Sequence, residues 1–154
     1  MRTLAPLALV LVALAFPFAA SAAAPAGNCN INLKVGDSMK FDQHSVTVSS
    51  SCKTITVNLV HTGQMPAQMM GHNVVITATD VFQSVANDGL KAGLAGNYVP
   101  PNDKRVIAST KIIGGGEKTT TSFAGSALKA GGAYTFFCSA PGHVSLMNGQ
   151  VLVK

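Results

Sequence analysis

The chain of 154 residues contains no tryptophan, only four histidines and only three cysteines. So few histidines leave no material for a multinuclear oxygen-reducing metal centre. The Walker spacing G-x4-G-K-[ST] is absent: Gly114-Gly-Gly-Glu-Lys-Thr119 has the wrong interval and lies between strand-like runs, so it reads as a glycine turn. Lysines and arginines are scattered and form no stripe interleaved with aromatics, which argues against nucleic acid as a partner. No internal repeat or low-complexity tract follows the N-terminal segment. No lipobox precedes the first cysteine, because Ala26-Gly27-Asn28 does not follow an apolar run directly.

Residues 1–24 have the layout of a secretory signal peptide: Arg2 near the start, an apolar run from Leu4 to Phe18, and the small-residue tail Ala19-Ala-Ser-Ala-Ala-Ala24. The run is short and interrupted by Pro6 and Pro17, so a membrane anchor is not expected. Cleavage near Ala22 to Ala24 would leave residues 25–154 as one exported domain, soluble and periplasmic, long enough to enclose a single core. Arg2 leaves with the leader, so ten basic side chains face six acidic ones and the net charge falls from +5 to +4. That mild positive field suits encounter with an acidic protein partner.

What the chain does have is short alternating runs divided by turn residues. Ile31, Leu33 and Val35 share one face of Asn30 to Val35, and Ile55, Val57 and Leu59 share one face of Thr54 to His61. Further strands are expected at Phe41 to Ser49, Asn73 to Thr77, Arg105 to Ser109, Lys118 to Phe123, Ala133 to Cys138 and Gln150 to Lys154. The turns Val35-Gly-Asp-Ser, Ile113-Gly-Gly-Gly-Glu and Ala130-Gly-Gly separate them. About eight strands at this spacing predict an all-β sandwich or barrel. One stretch has helical intervals, Val81, Phe82, Val85, Ala86, Gly89 and Leu90, predicting a single helix from Asp80 to Leu90 with Asp80 as its cap. Pro100 and Pro101 mark the following Ala92 to Asp103 as loop.

In an oxidising compartment three cysteines divide into a pair and a single. Cys29 and Cys52, flanking the first strand-like segments, are expected to join. Closing that loop is worth roughly 3 kcal/mol in the chain-entropy account. Cys138 is left alone, and a free thiol in that compartment is a liability unless a metal occupies it. His143 and Met147 follow it closely. A thiolate, an imidazole and a thioether are the donors of a His2Cys trigonal copper site lacking one histidine, with the thioether as the weak axial ligand. A Cys and a His five apart cannot share one side of a strand through Pro141-Gly142, so Cys138 should end a strand and a tight loop should return His143 beside it. His72, after Gly71 at the start of another strand, completes the plane, and the Gly71 carbonyl can approach as a second axial donor. His61 continues the inward series of its strand and reads as a core histidine, and His44 as a surface one.

These residues carry a family resemblance. Met70-Gly71-His72-Asn73, the Cys138-x4-His143-x3-Met147 loop, Val106-Ile-Ala, Gly116-Glu-Lys118 and the Cys29 to Cys52 interval resemble the azurins, small blue copper proteins of the cupredoxin class. The likeness covers Cys29 to Lys154, and the Cys-to-His spacing is longer than in plastocyanins and amicyanins. It implies an eight-stranded Greek-key sandwich with a helical flap, and one-electron transfer between Cu(I) and Cu(II). The implied partners are redox proteins, such as c-type cytochromes and copper-containing reductases or oxidoreductases, met in transient complexes. It also implies that Asn73 braces the ligand loops, that the backbone amide after it donates to the Cys138 sulfur, and that a histidine at position 61 lies near the copper. The chain departs from the family where Val74 replaces a buried tryptophan and Ala140 a phenylalanine before the loop proline.

Electron transfer requires coordination that changes little between oxidation states, and the exposed edge of His143 is the expected exit. Around it Met39, Met65, Met70, Leu90, Ala140, Pro141, Gly142 and Leu146 would form an apolar docking patch with adaptable methionines. Other classes compatible with the same residues are a copper-binding or storage module, a structural zinc site, and a Cys-His thiol enzyme.

Overall fold

The computed structural model describes residues 27–154. The expected leader, residues 1–24, lies outside them. Among the described residues eight strands form two open sheets that face each other as a sandwich and do not close into a barrel. The first sheet has the order β1-β3-β6, with β1 Asn30–Val35, β3 Thr54–His61 and β6 Lys118–Ala124. The second has the order β2-β8-β7-β4-β5, with β2 Ser45–Val48, β4 Val75–Ala78, β5 Ala108–Ser109, β7 Tyr134–Phe137 and β8 Asn148–Val153.

Period-2 alternation places the core. Ile31, Leu33 and Val35 of β1 and Ile55, Val57 and Leu59 of β3 are buried, as are Val46 and Val48 of β2 and Val151 and Val153 of β8. In the middle of the second sheet the alternation disappears, because β4 and β7 are covered on both faces. Ile76 and Phe136 point into the sandwich, whereas Val75 and Phe137 point outward beneath a helix, α2 (Phe82–Gly89), where Val85 and Ala86 meet them. Phe41 packs edge-on against Phe136, ring centroids 5.3 Å apart.

Several expected boundaries shift for local reasons. The strand expected from Phe41 shrinks to Ser45–Val48, because Asp42 folds back on Lys34 through its side chain and backbone while Phe41 plugs the core. The strand expected from Arg105 shrinks to Ala108–Ser109, because the Asp103 carboxylate captures the Arg105 backbone N–H in a turn. The helix starts at Phe82, not Asp80. Val81 occupies its cap position in helical geometry without a side-chain cap, and Asp80 makes no capping bond. A four-residue helix, α1 (Ala67–Met70), was not anticipated, since one turn has no periodicity to detect.

Two long connections reach one end of the sandwich, the second by crossing the outer face of the larger sheet from the opposite end of β4. One carries α1 between β3 and β4. The other runs from β4 through α2 and two short 3-10 turns, Leu90–Ala92 and Leu94–Gly96, to β5. The loop between β7 and β8 completes that end. Cys29 and Cys52 are joined by a disulfide with Cα atoms 5.6 Å apart, tying the start of β1 to the residues before β3. No helix among the described residues is long and apolar enough to cross a membrane.

Candidate metal centre

Cys138 directly follows β7, and its N–H donates to the Met147 carbonyl at 3.0 Å, extending the β7–β8 pairing by one rung. The intervening loop turns tightly. His143 N–H donates to the Ala140 carbonyl at 3.0 Å, and the His143 carbonyl accepts from both Leu146 and Met147, at 3.0 and 2.8 Å. Gly142 sits at φ 80°, a left-handed conformation that glycine adopts without steric cost. The loop brings the His143 Nδ1 to 3.5 Å from the Cys138 sulfur.

His72 arrives from the other flank of β7, in the segment that leads into β4. Its backbone is bonded in both directions to Ile113, at 3.0 and 2.9 Å. Its ring Nε2–H donates to the Gly36 carbonyl at 3.1 Å, which leaves the Nδ1 lone pair facing Cys138 at 3.8 Å. The Nδ1 atoms of His72 and His143 and the Cys138 sulfur all lie within 4.8 Å of one another, and all three residues are buried. Met147 is fully buried beside Cys138 in the core, and Gly71 is buried immediately before His72. The structure gives a further reason for glycine at 71: a Cβ there would collide with the Ala67 backbone carbonyl of α1.

Burial decides the protonation of this trio. It pushes the His72 pKa down to about 4, helped by the neighbouring His143, and lowers His143 as well. Both imidazoles are therefore neutral near pH 7, each with a lone pair to give. Burial also raises the Cys138 thiol to about 11, against the opposing pull of the Asn73 and Ala140 backbone N–H groups. A cation between the three donors removes that penalty on the thiolate, because its charge compensates the buried anion. One soft sulfur and two borderline nitrogens suit copper in both oxidation states.

Asn73 links the two ligand-bearing segments directly. Its Oδ1 accepts from Ser139 N–H at 2.9 Å, while its Nδ2 donates to Ser139 Oγ at 2.8 Å and to the Asn97 carbonyl at 2.8 Å. The amide facing the Cys138 sulfur is that of Asn73 itself, not the one after it. Val74 N–H, one residue on, points the other way and donates to Thr110 Oγ1 at 3.0 Å.

His61 is a fully satisfied core histidine. Its Nδ1 accepts from Gly63 N–H and its Nε2–H donates to the Met70 carbonyl, while the ring stacks on His72 with centroids 5.1 Å apart. The expected apolar patch is only partly on the surface. Met39, Met65, Leu90, Leu146, Pro141 and Gly142 are exposed, and Asp37 ties the Met39 loop to Met65 by accepting its backbone N–H. Met70 is half-buried, and the exposed methionine of that pair is Met69, at 70 %. Ala140, expected in the patch, turns inward and is 6 % exposed in the core cluster with Cys138, where its small methyl fits under the ligand loop. Leu90 stands apart in sequence and element, where α2 ends. His143 itself keeps 7 % of its surface accessible. Gly36, Thr110 and Asn97 were not found from sequence, because each acts through position in the fold.

A two-sheet sandwich with a buried His-Cys-His cluster at one end, fed by a long Cys-to-His loop, defines a cupredoxin. The sequence pattern of the family described as copper binding proteins, plastocyanin/azurin family, matches residues 27–154. The azurin of Pseudomonas denitrificans is 50 % identical over 126 residues, 82 % of this chain and 98 % of that protein. The azurin of Bordetella pertussis is 48 % identical over 123 residues, 80 % of this chain and 82 % of that one. Among solved structures, an azurin from the methylotroph Methylomonas sp. strain J superposes with a TM-score of 0.79 at 47 % identity, covering 82 % of this chain and 98 % of its own. The chain belongs to the copper-binding plastocyanin/azurin family, and the relatives named here are azurins. Its His72, Cys138 and His143 cluster fits one type 1 copper, and its role is electron transfer.

Proposed function

We propose that this protein is a periplasmic carrier that moves single electrons between soluble redox partners and performs no chemical turnover of its own. Within it His72, Cys138 and His143 would hold copper as strong ligands, with the Met147 thioether and the Gly71 carbonyl as weak donors. Copper, when bound, supplies a Cu(I)/Cu(II) couple. The protein supplies constancy: two imidazoles already neutral, each ring or loop held by backbone bonds, and a core that admits no water to the sulfur. The observation carrying this reading is the convergence of three buried donor atoms within 4.8 Å on a neutral, preformed frame. The same frame argues against a thiol enzyme, because burial disfavours the thiolate-imidazolium pair that a Cys-His nucleophile needs.

The leader-like residues 1–24 and the Cys29–Cys52 disulfide support export to the periplasm. The exposed Met39, Met65, Pro141, Gly142 and Leu146 support brief docking near His143 with c-type cytochromes or copper-containing reductases. The test is colour: copper(II) added to the purified protein should give an intense thiolate-to-copper band that reduction erases. A colourless copper adduct would overturn the assignment.

A further inference from the structure

We propose that Asn97 is a positioning residue of the metal centre, holding Asn73 in the one orientation that locks the His72 and Cys138 segments together. The inference rests on the ligand assignment above. Its structural part stands on three separate pieces of chain that meet at Asn97. Its carbonyl accepts from Asn73 Nδ2 at 2.8 Å and from Ser139 Oγ at 3.4 Å. Its side-chain Oδ1 accepts from Ile112 N–H at 2.9 Å. Asn73 is peptide-bonded to His72, Ser139 to Cys138, and Ile112 to the Ile113 that brackets His72 through two backbone bonds.

The hydrogen-bond count shows why the Asn97 carbonyl matters. Asn73 is fully buried, and both of its Nδ2 hydrogens are used, one on Asn97 and one on Ser139 Oγ. If the carboxamide flipped, its oxygen would face the Asn97 carbonyl and its NH2 would face the Ser139 N–H. Acceptor would then oppose acceptor and donor oppose donor. The Asn97 carbonyl thus excludes the flipped state, and without it a buried N–H would be left unpaired.

The backbone of Asn97 explains how that carbonyl is presented. Asn97 is left-handed, φ 57° and ψ 22°, at the end of the second 3-10 turn, where its N–H closes onto Leu94. Asparagine tolerates this conformation better than other side chains except glycine. The residue is only half-buried and lines a groove of about 760 Å³ between the flap and β5, so hydrogen bonds more than packing fix it in place. It thereby ties the flap to the ligand segments, although it touches no ligand itself.

Two substitutions divide the contributions. Asn97→Gly keeps the left-handed backbone and loses only the bond to Ile112, whereas Asn97→Val disfavours the backbone and loses that bond too. In the copper-free protein, the Asn73 side-chain amide resonances should move and lose exchange protection in Asn97→Val, and less so in Asn97→Gly. With copper bound, Asn97→Val should release the metal to a chelator about tenfold faster than wild type. Its reduction potential should shift in the same direction as in Asn73→Ala, with no further shift in the double variant. Unmoved Asn73 resonances, or additive shifts in the double variant, would overturn the proposal. If Asn97→Val fails to fold, Asn97→Ala, which strains the same left-handed backbone less severely and also loses the Ile112 bond, carries the same readouts. The copper-free resonances decide the role of Asn97 even if the wild type gives no blue band, so the two failures are distinct.

Discussion

Cys138 and Met147 face each other across the neck of one hairpin, yet their donors differ in kind. With copper bound, the Cys138 thiolate would be the strong soft donor that gives the blue charge-transfer band, and the Met147 thioether would be a weak one. Cys138→Ser replaces a soft donor with a hard, protonated hydroxyl, and the absorption band should vanish. Met147→Gln should retain the copper and change the reduction potential, as voltammetry would show. Equal loss of copper in both variants would contradict the division into strong and weak ligands. These residues could be picked out in the sequence because chemistry limits the donor types and the Pro141-Gly142 turn limits the path between them. The groups that orient them were invisible there. Gly36 and Asn97 act through backbone carbonyls, which any residue possesses, and only the tertiary fold aims those carbonyls at His72 and Asn73. Ala140 was misplaced for a related reason: sequence shows that it lies in the loop but not which way its methyl turns.

At the scale of elements, alternation located most strands because each half-buried face repeats every second residue. It failed where side chains intercept the backbone, as Asp42 does before β2 and Asp103 before β5. Nor could it give the parallel pairing of β1 with β3 and of β2 with β8, which is settled by distant segments. Two of the fastenings can be tested. Replacing Cys29 and Cys52 by alanine opens a loop spanning a 23-residue separation. The cost should be about 3 kcal/mol in denaturant unfolding with the blue band unchanged, since the bridge lies outside the ligand set. The flap is tied by Arg105, which bonds Asp103 in its own loop and Asp88 and Ser84 of α2. Arg105 holds the Asp103 carboxyl down at about 2 through its side chain first and its backbone N–H second. A carboxyl depressed by folding stabilises the protein above its unfolded pKa of about 3.9, and that contribution fades as pH falls towards 2. The melting temperatures of wild type and Asp103→Asn should therefore differ at pH 6 and converge between about pH 4 and 2. A difference undiminished at pH 2 would rule out the ion pair as its source.

For the molecule as a whole, the charge and the His143 loop of the proposed docking surface occupy different places. The net charge is +5 for the full chain, yet no charged residue occurs from Ser139 to Gly149, the stretch that contains His143 and the exposed Pro141, Gly142 and Leu146. Two copies of the protein can bring these loops together without placing like charges in contact, while the lysines elsewhere repel only at longer range. Electron exchange between two copies should thus depend weakly on salt in the wild type. Leu146 is 60 % exposed in this loop, three residues after His143. Leu146→Lys sets one cation against its symmetric partner in any loop-to-loop encounter. Exchange measured from NMR line widths in mixtures of oxidised and reduced protein should slow by about tenfold at low ionic strength and recover as salt screens the pair. A Lys34→Glu change, on the exposed face of β1, should leave the exchange within a factor of about two by the same screening argument. If Leu146→Lys exchanged as fast as wild type at low salt, the electron would have to leave by a surface other than the His143 loop.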